Sequence, residues 1–497
     1  MSSLIGAHTS QPAGPPARLA QVRGRVALTL IAAAVALVVA TALLGPSAAV
    51  IPLPPGAFPI GGNLHPSAWL VTALLALAVV AGVAGTALAW AAVGGGWAPS
   101  PRKLLAGGLV ATGLLVVVPP VASADVLSYA AYGHIAARGL DPYTTVPASL
   151  PHDPYARAVE APWQATPSIY GPLATWEEQA MVSLAGGHRR RAVGLLDLAN
   201  GSAFALAGAL LLGVAGADED RRRKALLALL LNPVVLLLVV AGGHVDALVV
   251  LAVAGGLALF RRSPLWAGVI GGAGTLVKLT GALPLVGWAW AARGRRRGGL
   301  VAAAAILVAA GYAIVGLHAF NQARRASSLV SVGTPWRPLR SLLQHTVGHP
   351  AATATVAVGS AALMVWLAVR LARDLPPAAS ETTQTTQTTE AARAALVLTL
   401  AWTLGAAYVL GWYDAVPWAL LALLPVSRYH RILLAHSGIL ALAYLPGRVV
   451  PLPAGLAGIT TALRSAASPA VLALLIIVCL VPSRLIPTED SQLPAAH

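Results

Sequence analysis

Long apolar segments dominate this chain, and they constrain its fold more than any other feature of the sequence. Twelve segments of 15–27 residues can be distinguished: 26–44, 67–93, 104–121, 191–215, 225–241, 244–260, 299–317, 351–371, 393–411, 413–427, 432–447 and 466–481. A membrane-spanning helix needs about 20 mostly apolar residues, and in lipid only helices or closed barrels satisfy the backbone. With 57% hydrophobic and 10% charged residues, the chain lacks the polar surface of several soluble domains. The sequence therefore predicts an all-α polytopic membrane protein.

The stretch 264–292 is also apolar, but it is too long for one span and too short for two. It contains Lys278 and Pro284, which interrupt a continuous apolar helix. We expect a pair of half-helices that turns inside the membrane, where irregular backbone is tolerated if protein buries it. Together with the other segments, this gives about 12–14 membrane helices.

Basic residues indicate the orientation of the chain. The net charge is +16, from 33 Lys and Arg against 17 Asp and Glu, and basic runs such as 221–224 and 293–297 separate apolar segments. Such runs anchor cytoplasmic loops, so the excess of positive charge indicates topology rather than nucleic-acid binding. We expect a multi-pass protein of the cell membrane with both termini in the cytoplasm. Its predicted parts are a cytoplasmic tail at 1–25, one transmembrane domain at 26–484 with external loops at 122–190 and 318–350 and a cytoplasmic linker at 376–392, and a tail at 485–497.

Several of the scarce ionisable residues fall on one face of this topology. Asp125, Asp246 and Asp414 each lie beside or between apolar segments at the predicted outer face, and Lys278 lies near the outer turn of the half-helix pair. Ionisable residues in a membrane are costly and usually mark a site. The pattern predicts one polar pocket at the outer face.

Asp125 begins an external loop that is rich in aromatic, proline and polar residues. Aromatic faces with scattered polar groups suit a sugar ring, and a carboxylate beside them can act as a general base toward a hydroxyl group. A capping role is compatible with this hypothesis, because Asp125 precedes a helical run and Asp is a favoured N-cap. The candidate substrate-binding residues of the loop are Tyr129, Tyr132, Asp141, Tyr143 and Tyr170.

Two further groups extend the candidate site. His244 and Asp246 follow a glycine pair, so they form either a capped outer turn or part of a substrate site. Trp412 and Tyr413 precede Asp414 and belong either to an interfacial aromatic belt or to the same site. A divalent metal is compatible with histidine and carboxylates, but no strong ligand spacing supports one, and no metal site or other cofactor is predicted.

Cations near the outer face suggest phosphate binding. Lys278 either extends to the lipid headgroups or binds a phosphate, with help from backbone N–H groups at the helix break. Arginine suits bidentate phosphate contacts, although arginines in the second external loop also suit lipid headgroups. The candidate phosphate-binding residues are Lys278, Arg324, Arg325, Arg337 and Arg340.

Four motifs give the chain a resemblance to a known family. They are Asp125-Val126-Leu127-Ser128-Tyr129, Gly139-Leu140-Asp141-Pro142-Tyr143, Tyr170-Gly171-Pro172-Leu173 and Gly243-His244-Val245-Asp246-Ala247. In this order they resemble the actinobacterial polyprenol-phosphomannose-dependent α-1,6-mannosyltransferases, which are membrane glycosyltransferases of the GT-C class. The resemblance by motif covers residues 120–300. The chain differs from related enzymes at Val245, where they usually have Asn, and at Gly411, where they often have Pro.

The resemblance implies an inverting transfer of a sugar, expected to be mannose, from a polyprenyl-phosphate donor to a cell-envelope glycan or glycolipid. Asp125 matches the place of the base in this class, and the lipid bilayer, the donor and the acceptor would be the partners. Two other hypotheses stay open. A transporter or flippase of lipid-linked glycans should show inverted repeats and polar residues at the midplane, which the sequence does not show. A non-catalytic partner subunit would keep the fold without the chemistry.

Overall fold

The fold is seen in a computed structural model that describes residues 15–321, 328–375 and 383–481. In these ranges no strand forms, and a single extended bridge joins Val50 to Val121. Seven of the described helices are long and apolar enough to cross a membrane, and three shorter apolar helices accompany them. The prediction of an all-α polytopic membrane protein is confirmed.

The described helices follow one another with short connections. Ser67, Asp218 and Ser263 each begin a helix by accepting a hydrogen bond from a backbone N–H group in its first turn. The α-helices are α1 (Pro15–Leu44), α2 (Ala68–Gly94), α3 (Pro101–Val116), α4 (Asp125–Ala137), α5 (Pro172–Leu184), α6 (Arg189–Ala215), α7 (Glu219–Ala228), α8 (Pro233–Val235), α9 (Asp246–Leu259), α10 (Pro264–Val277), α11 (Ala282–Ala291), α12 (Gly294–Val315), α13 (Trp336–Val347), α14 (His349–Asp374), α15 (Thr383–Gly405), α16 (Ala415–Leu421), α17 (Arg428–Tyr444), α18 (Ala454–Ala462) and α19 (Ser468–Leu480). Two π-helical turns, Leu236–Ala241 and Leu463–Ala467, continue α8 and join α18 to α19.

The centre of the molecule is the segment that runs from α7 through the first π-helical turn. Residues 225–247 are all buried, and α2, α3, α6 and α17 are among the helices that pack around them. A segment that is apolar on every side is typical of a helix enclosed by other helices. Its end carries His244 and Asp246, so both residues enter the interior of the bundle rather than its surface.

The apolar stretch 264–292 is interrupted as predicted. Helix α10 ends at Val277, Lys278 has extended backbone angles (φ −156°, ψ 135°), and α11 begins at Ala282. A Cβ atom on Gly281 would lie 2.3 Å from the carbonyl oxygen of Gly274, so the turn packs directly on the backbone of α10. The half-helix pair is therefore confirmed, with Lys278 at the break.

Several helix boundaries differ from the predicted ones. Helix α1 begins at Pro15, inside the predicted tail, and α15 begins at Thr383, inside the predicted linker 376–392. No glycine or proline occurs in 383–392, so nothing stops the helix there. The predicted span 413–427 contains only a 3₁₀ turn and the seven residues of α16, because Pro425 and a polar start of α17 follow it closely. The predicted tail 485–497 lies outside the described residues.

The first long loop is held against the half-helix pair by close backbone contacts. A Cβ atom on Gly133 in α4 would lie 2.4 Å from the carbonyl oxygen of Glu178 in α5, so these two helices approach very closely. Gly171 packs in the same way on Leu276, and its N–H group donates to the carbonyl oxygen of Val277 at 3.0 Å. The Tyr-Gly-Pro motif thus brings the loop to the helix break.

Candidate active site

A cavity of about 460 Å³ lies between the start of α4, the loop before α5 and the ends of the later helices. Its wall combines apolar, aromatic and charged side chains from the segments 122–132, 160–170, 329–332, 408–413 and 444–464. Concave sites with a few convergent polar groups are the usual places for ligands. The predicted residues that line this cavity are Asp125, Tyr132, Tyr170, Trp412 and Tyr413.

Asp125 is the first residue of α4, and its carboxylate faces the cavity. Its backbone N–H group donates to Ser123 Oγ at 3.1 Å, and its side chain is 24% exposed. The cap position of α4 is Ala124, without a side-chain capping bond, so the carboxylate does not act as the N-cap. Among the described residues no lysine or arginine lies within 4.0 Å of it, and His244 Nε2 is 3.6 Å away. An unpaired, accessible carboxylate is suited to accept a proton.

His244 lies behind Asp125 rather than on the cavity wall. Its ring is 1% exposed and stacks on the indole of Trp412, with the two ring centroids 3.9 Å apart. One ring nitrogen, Nδ1, lies 2.5 Å from the carbonyl oxygen of Leu238, and the other, Nε2, lies 3.1 Å from Ser123 Oγ. The ring therefore contacts the protein on both edges and on one face, and it reaches a ligand only through Asp125, Ser123 or Trp412.

Asp246 and Lys278 form a buried ion pair beside this group. Lys278 Nζ donates to both carboxylate oxygens of Asp246 at 3.1 Å and lies 3.7 Å from the centre of the Tyr413 ring. The side chains of Asp246 and Lys278 are only 5% and 11% exposed. The contacts made by Lys278 are those of a neutralised structural cation, because both charges are already paired.

Asp414 faces away from the cavity. Its carboxylate accepts from Ser437 Oγ at 2.6 Å and pairs with His436 Nδ1 at 2.9 Å, and the residue is 1% exposed. Ser437 also accepts a hydrogen bond from Trp418 Nε1 at 3.0 Å. Asp414 thus joins the 3₁₀ turn before α16 to α17, while its neighbours Trp412 and Tyr413 reach the cavity.

The predicted aromatic residues of the first loop divide into two groups. Tyr170 lines the cavity and contacts the buried Tyr129 edge-on, with ring centroids 5.0 Å apart. Tyr132 also lines the cavity and donates to the carbonyl oxygen of Thr166 at 2.9 Å. Tyr143 and Asp141 lie elsewhere, at a separate cavity of about 310 Å³, where Asp141 pairs with His318 at 2.7 Å. The Asp-Pro-Tyr motif therefore does not reach the main cavity.

Of the four predicted arginines, the two that the structure describes do not line the main cavity. Arg337 and Arg340 lie on the strongly amphipathic helix α13 and are exposed or partly exposed. Arg324 and Arg325 lie outside the described residues. Basic groups that do line the cavity are Arg448 and Arg464, which the sequence analysis did not single out.

Arg464 enters the site from a helix that begins earlier than predicted. Its Nε donates to the carbonyl oxygen of Ala443 at 3.0 Å, and its guanidinium lies 5.7 Å from the centre of the Tyr444 ring. It belongs to the π-helical turn Leu463–Ala467, and such turns are frequent at functional sites. The hydropathy of the sequence predicts a span that begins only at residue 466, which places Arg464 in the preceding loop. A single arginine inside an otherwise apolar stretch from residue 454 was the available signal.

Arg448 is held in place by the first loop. Its Nε donates to Glu160 Oε1 at 3.2 Å, and the second oxygen of Glu160 accepts from the N–H group of Val449 at 3.0 Å. Both residues line the main cavity, so this ion pair joins the connection between α17 and α18 to the loop before α5. Tyr408 and Tyr444 add two more rings that were not predicted.

A separate carboxylate organises the outer part of the loop. Asp153 pairs with His134 Nε2 at 2.9 Å and with Arg138 at 3.1 Å, and it accepts from the N–H groups of Tyr155 and Ala156. Burial alone would raise the pKa of Asp153, but these hydrogen bonds and the nearby imidazole outweigh burial and lower it below its ordinary value. The charged form of Asp153 therefore stabilises the loop.

In the part of the chain that the structure describes, no group of three or more His, Cys, Asp or Glu side chains is arranged to hold a metal ion. The groups nearest to Asp125 are a hydroxyl, an imidazole and aromatic rings.

The fold and the cavity define a polytopic membrane protein with a polar, aromatic-lined site at the ends of its helices. The family model described as "Alpha-(1->6)-mannopyranosyltransferase, N-terminal domain" matches residues 29–292, which is more than half of the chain, and the chain belongs to this family. The matched region includes the loop that carries Asp125, the His244–Asp246 motif and the half-helix pair.

Two curated relatives match over a short stretch. A probable alpha-(1->6)-mannopyranosyltransferase of Mycolicibacterium smegmatis and an alpha-(1->6)-mannopyranosyltransferase of Mycobacterium tuberculosis are each 43% identical to the chain over 75 residues. This stretch is 14% of the present chain and 13% and 12% of the two relatives, respectively. The match thus spans about an eighth of the length of these relatives. No solved structure matches the chain.

Proposed function

We propose that the protein transfers mannose from a polyprenyl-phosphate donor to a cell-envelope glycan or glycolipid. Membership of the mannopyranosyltransferase family supports the sugar. The observation that carries the proposal is the unpaired carboxylate of Asp125 at the wall of a cavity lined by aromatic rings and guanidinium groups. A sugar ring stacks on aromatic faces, and a phosphate pairs with guanidinium groups.

Asp125 acts as the general base of this reaction. It takes the proton from an acceptor hydroxyl group, and the freed oxygen attacks the anomeric carbon of the donor. The bond between that carbon and the phosphate oxygen breaks on the opposite side, and its electron pair leaves with the polyprenyl phosphate. Attack and departure on opposite faces invert the anomeric configuration. The rings of Tyr132, Tyr170 and Trp412 hold the two sugars around the carboxylate.

Arg464 stabilises the charge that develops on the departing phosphate. It is a cation of the cavity wall that is not in an ion pair with a carboxylate among the described residues, whereas Arg448 is paired with Glu160. Lys278, the cation first considered for this role, already pairs with Asp246. Guanidinium groups that face developing negative charge in a dry site are effective transition-state stabilisers.

The reaction takes place at the outer face of the cell membrane, with both termini in the cytoplasm. The distribution of basic loops supports this orientation, because cytoplasmic loops carry the excess of lysine and arginine. The polyprenyl tail stays in the bilayer and confines the donor phosphate to the interface. The lipid, the donor and the acceptor are then the partners of the protein.

Purified protein in lipid nanodiscs, incubated with polyprenyl-phosphate mannose and a panel of mannose-containing acceptors, tests the proposal. We expect a mannosylated product, and a rate about 10²–10⁴-fold lower for Asp125→Asn, the usual contribution of a general base. The control is Asp218→Asn, because Asn caps a helix as well as Asp does and Asp218 is an exposed cap of α7. This control should keep the wild-type rate.

Four results would contradict the proposal in different ways. Product from arabinose or glucose donors but not from mannose would refute the sugar. Full activity of Asp125→Asn would refute the base. Movement of a lipid-linked glycan across a vesicle membrane without any sugar transfer would favour a transporter. Activity that requires a second subunit would favour a non-catalytic partner subunit.

A further inference from the structure

His244 has a defined proton arrangement that follows from its two hydrogen bonds. A carbonyl oxygen can only accept, so the Nδ1 atom that faces Leu238 at 2.5 Å carries the proton. In the neutral ring, Nε2 is then an acceptor. This acceptor faces the hydroxyl of Ser123 at 3.1 Å and the carboxylate oxygen Oδ2 of Asp125 at 3.6 Å. The hydroxyl of Ser123 donates to Nε2, and the Asp125 carboxylate oxygen lies beside the same nitrogen.

The protein backbone fixes this tautomer. Leu238 lies in the π-helical turn Leu236–Ala241, and the backbone N–H groups of residues 242–244 donate to other carbonyl groups of that turn. The Leu238 carbonyl is thereby left for the imidazole. Trp412 stacks on the ring at an interplanar angle of 13°, which prevents the ring from turning. A π-helical turn that re-aims one carbonyl group is typical of functional sites.

We propose that His244 receives the acceptor proton from Asp125, so that the aspartate and the histidine act as one base. This inference rests on the proposed function and extends it. Nε2 lies within 3.6 Å of Oδ2, and a proton that arrives from Asp125 would replace the hydrogen bond from Ser123 with a charge-assisted hydrogen bond between imidazolium and carboxylate. The 3.6 Å separation shortens once that proton is present.

The acceptor proton would move in two transfers, first to Asp125 and then to His244. The acceptor O–H bond breaks, its oxygen bonds to the anomeric carbon, and its proton binds Asp125 Oδ2. The proton then moves to His244 Nε2, which restores the carboxylate and leaves an imidazolium whose second N–H group still donates to Leu238. When the products leave and water enters the cavity, the imidazolium returns the proton to the solvent. Asp125 is therefore protonated only between the first and the second proton transfer.

Other charged groups near His244 are engaged elsewhere or buried. Asp246 is two residues along the chain, but both of its oxygens bind Lys278. Lys278 also contacts the ring of Tyr413. From α6, Asp197 approaches the preceding Gly243, where a Cβ atom would lie 2.5 Å from its Oδ1 atom. Asp125 is the group that meets Nε2 itself.

The test uses the full-length protein in nanodiscs and compares pH–rate profiles. In His244→Gln, the amide can donate to Leu238 and accept from Ser123, but it cannot take up a proton. We expect a rate at least about tenfold lower than wild type with little change in donor KM, and an acid limb of the profile that moves to lower pH. His436→Gln serves as the control, because His436 is an equally buried histidine that pairs with Asp414 away from the cavity. Its acid limb should stay in place.

The rate and the pH profile of His244→Gln distinguish a role in proton transfer from a purely structural role. A His244→Gln protein with the wild-type rate and profile, or with a lower rate and an unmoved acid limb, would show that the histidine only supports the structure. If His244→Gln gives either of these results while Asp125→Asn is inactive in the same assay, the proposed function stands and this inference fails. If Asp125→Asn is fully active, both fail. His244→Ala, which removes the hydrogen bonds as well, should be less stable than His244→Gln, and the thermal unfolding of both variants separates folding from chemistry.

Discussion

Asp125 and Asp246 are two carboxylates near the same histidine, and the protein uses them in opposite ways. Asp246 is 3% exposed and gives both oxygens to Lys278, at the break between two half-helices. Asp125 is the first residue of α4, has a side chain 24% exposed, and lies 3.6 Å from the Nε2 atom of His244, which also contacts the Ser123 hydroxyl. One carboxylate closes the fold, while the other is left open for a ligand.

The difference shows that a carboxylate near the membrane is not a site by its residue type alone. A base needs an oxygen that a substrate can reach and a charge that no neighbouring cation has already neutralised. Asp246 meets neither condition, because Lys278 binds both of its oxygens. Asp414 fails the first condition, because it is buried and its Oδ2 atom is bound by His436 and Ser437. Asp125 meets both.

The largest expected effect follows from breaking the buried ion pair between Lys278 and Asp246. Lys278→Met leaves the charge of Asp246 buried and unpaired, and it should lower the free energy of unfolding by about 3–5 kcal/mol. The double variant Lys278→Met/Asp246→Asn removes both charges and should recover most of this loss. Thermal unfolding of the purified variants in the same detergent measures both effects.

This comparison also tests the phosphate role first predicted for Lys278. If Lys278 binds the donor phosphate, Lys278→Met should raise the donor KM, and removal of Asp246 should not restore it. If the lysine is the partner of Asp246, stability and activity should return together in the double variant. An unchanged unfolding temperature of Lys278→Met would contradict the structural role.

Hydropathy and charge were sufficient to predict the class of fold. The all-helical fold follows from apolar segments, and the break at Lys278 follows from a cation and Pro284 inside one of them. These features depend on distance along the chain, which a sequence displays directly.

The sequence could not show to which side of a helical turn each side chain points. Trp412 and Tyr413 reach the cavity while the adjacent Asp414 points to α17, because successive residues of a helical turn face different sides. Arg464 was missed since hydropathy placed the start of its helix at residue 466 rather than at Ala454. Neighbours that are distant in sequence, such as Asp246 and Lys278, determine which polar groups remain free.

The next largest effect concerns Arg464, the cavity cation that has no carboxylate partner among the described residues. Arg464→Gln should lower kcat/KM for the donor by about tenfold to a hundredfold, because a hydrogen bond to a charged group contributes about 1.5–3 kcal/mol. Arg337→Gln is the matched control, since Arg337 lies on α13 outside the cavity and should leave kcat/KM unchanged. Steady-state kinetics with polyprenyl-phosphate mannose measures this. An equal change in both variants would indicate a general loss of surface charge instead of phosphate binding.

The smallest effect distinguishes the cavity from the outer part of the loop. Because its hydrogen bonds and His134 lower the pKa of Asp153 in the folded protein, this carboxylate stabilises the fold fully above the ordinary aspartate pKa of about 4. The stabilisation is lost as the pH falls through the lower folded value. Asp153→Asn should therefore reduce the free energy of unfolding by about 1–2 kcal/mol at neutral pH and by less in acid.

Asp141→Asn is the control for Asp153→Asn. It also breaks a contact between an aspartate and a histidine, but the Asp141–His318 contact is more exposed than the Asp153–His134 contact. Asp141 and His318 are 39% and 40% exposed, so the pair should contribute less than about 1 kcal/mol at any pH. Unfolding temperatures of both variants, measured from pH 7 down to about pH 2, compare the two carboxylates across the range in which Asp153 takes up its proton. A difference between Asp153→Asn and wild type that grows as the pH falls would contradict the lowered pKa, since a neutral side chain has no charge left to lose in acid.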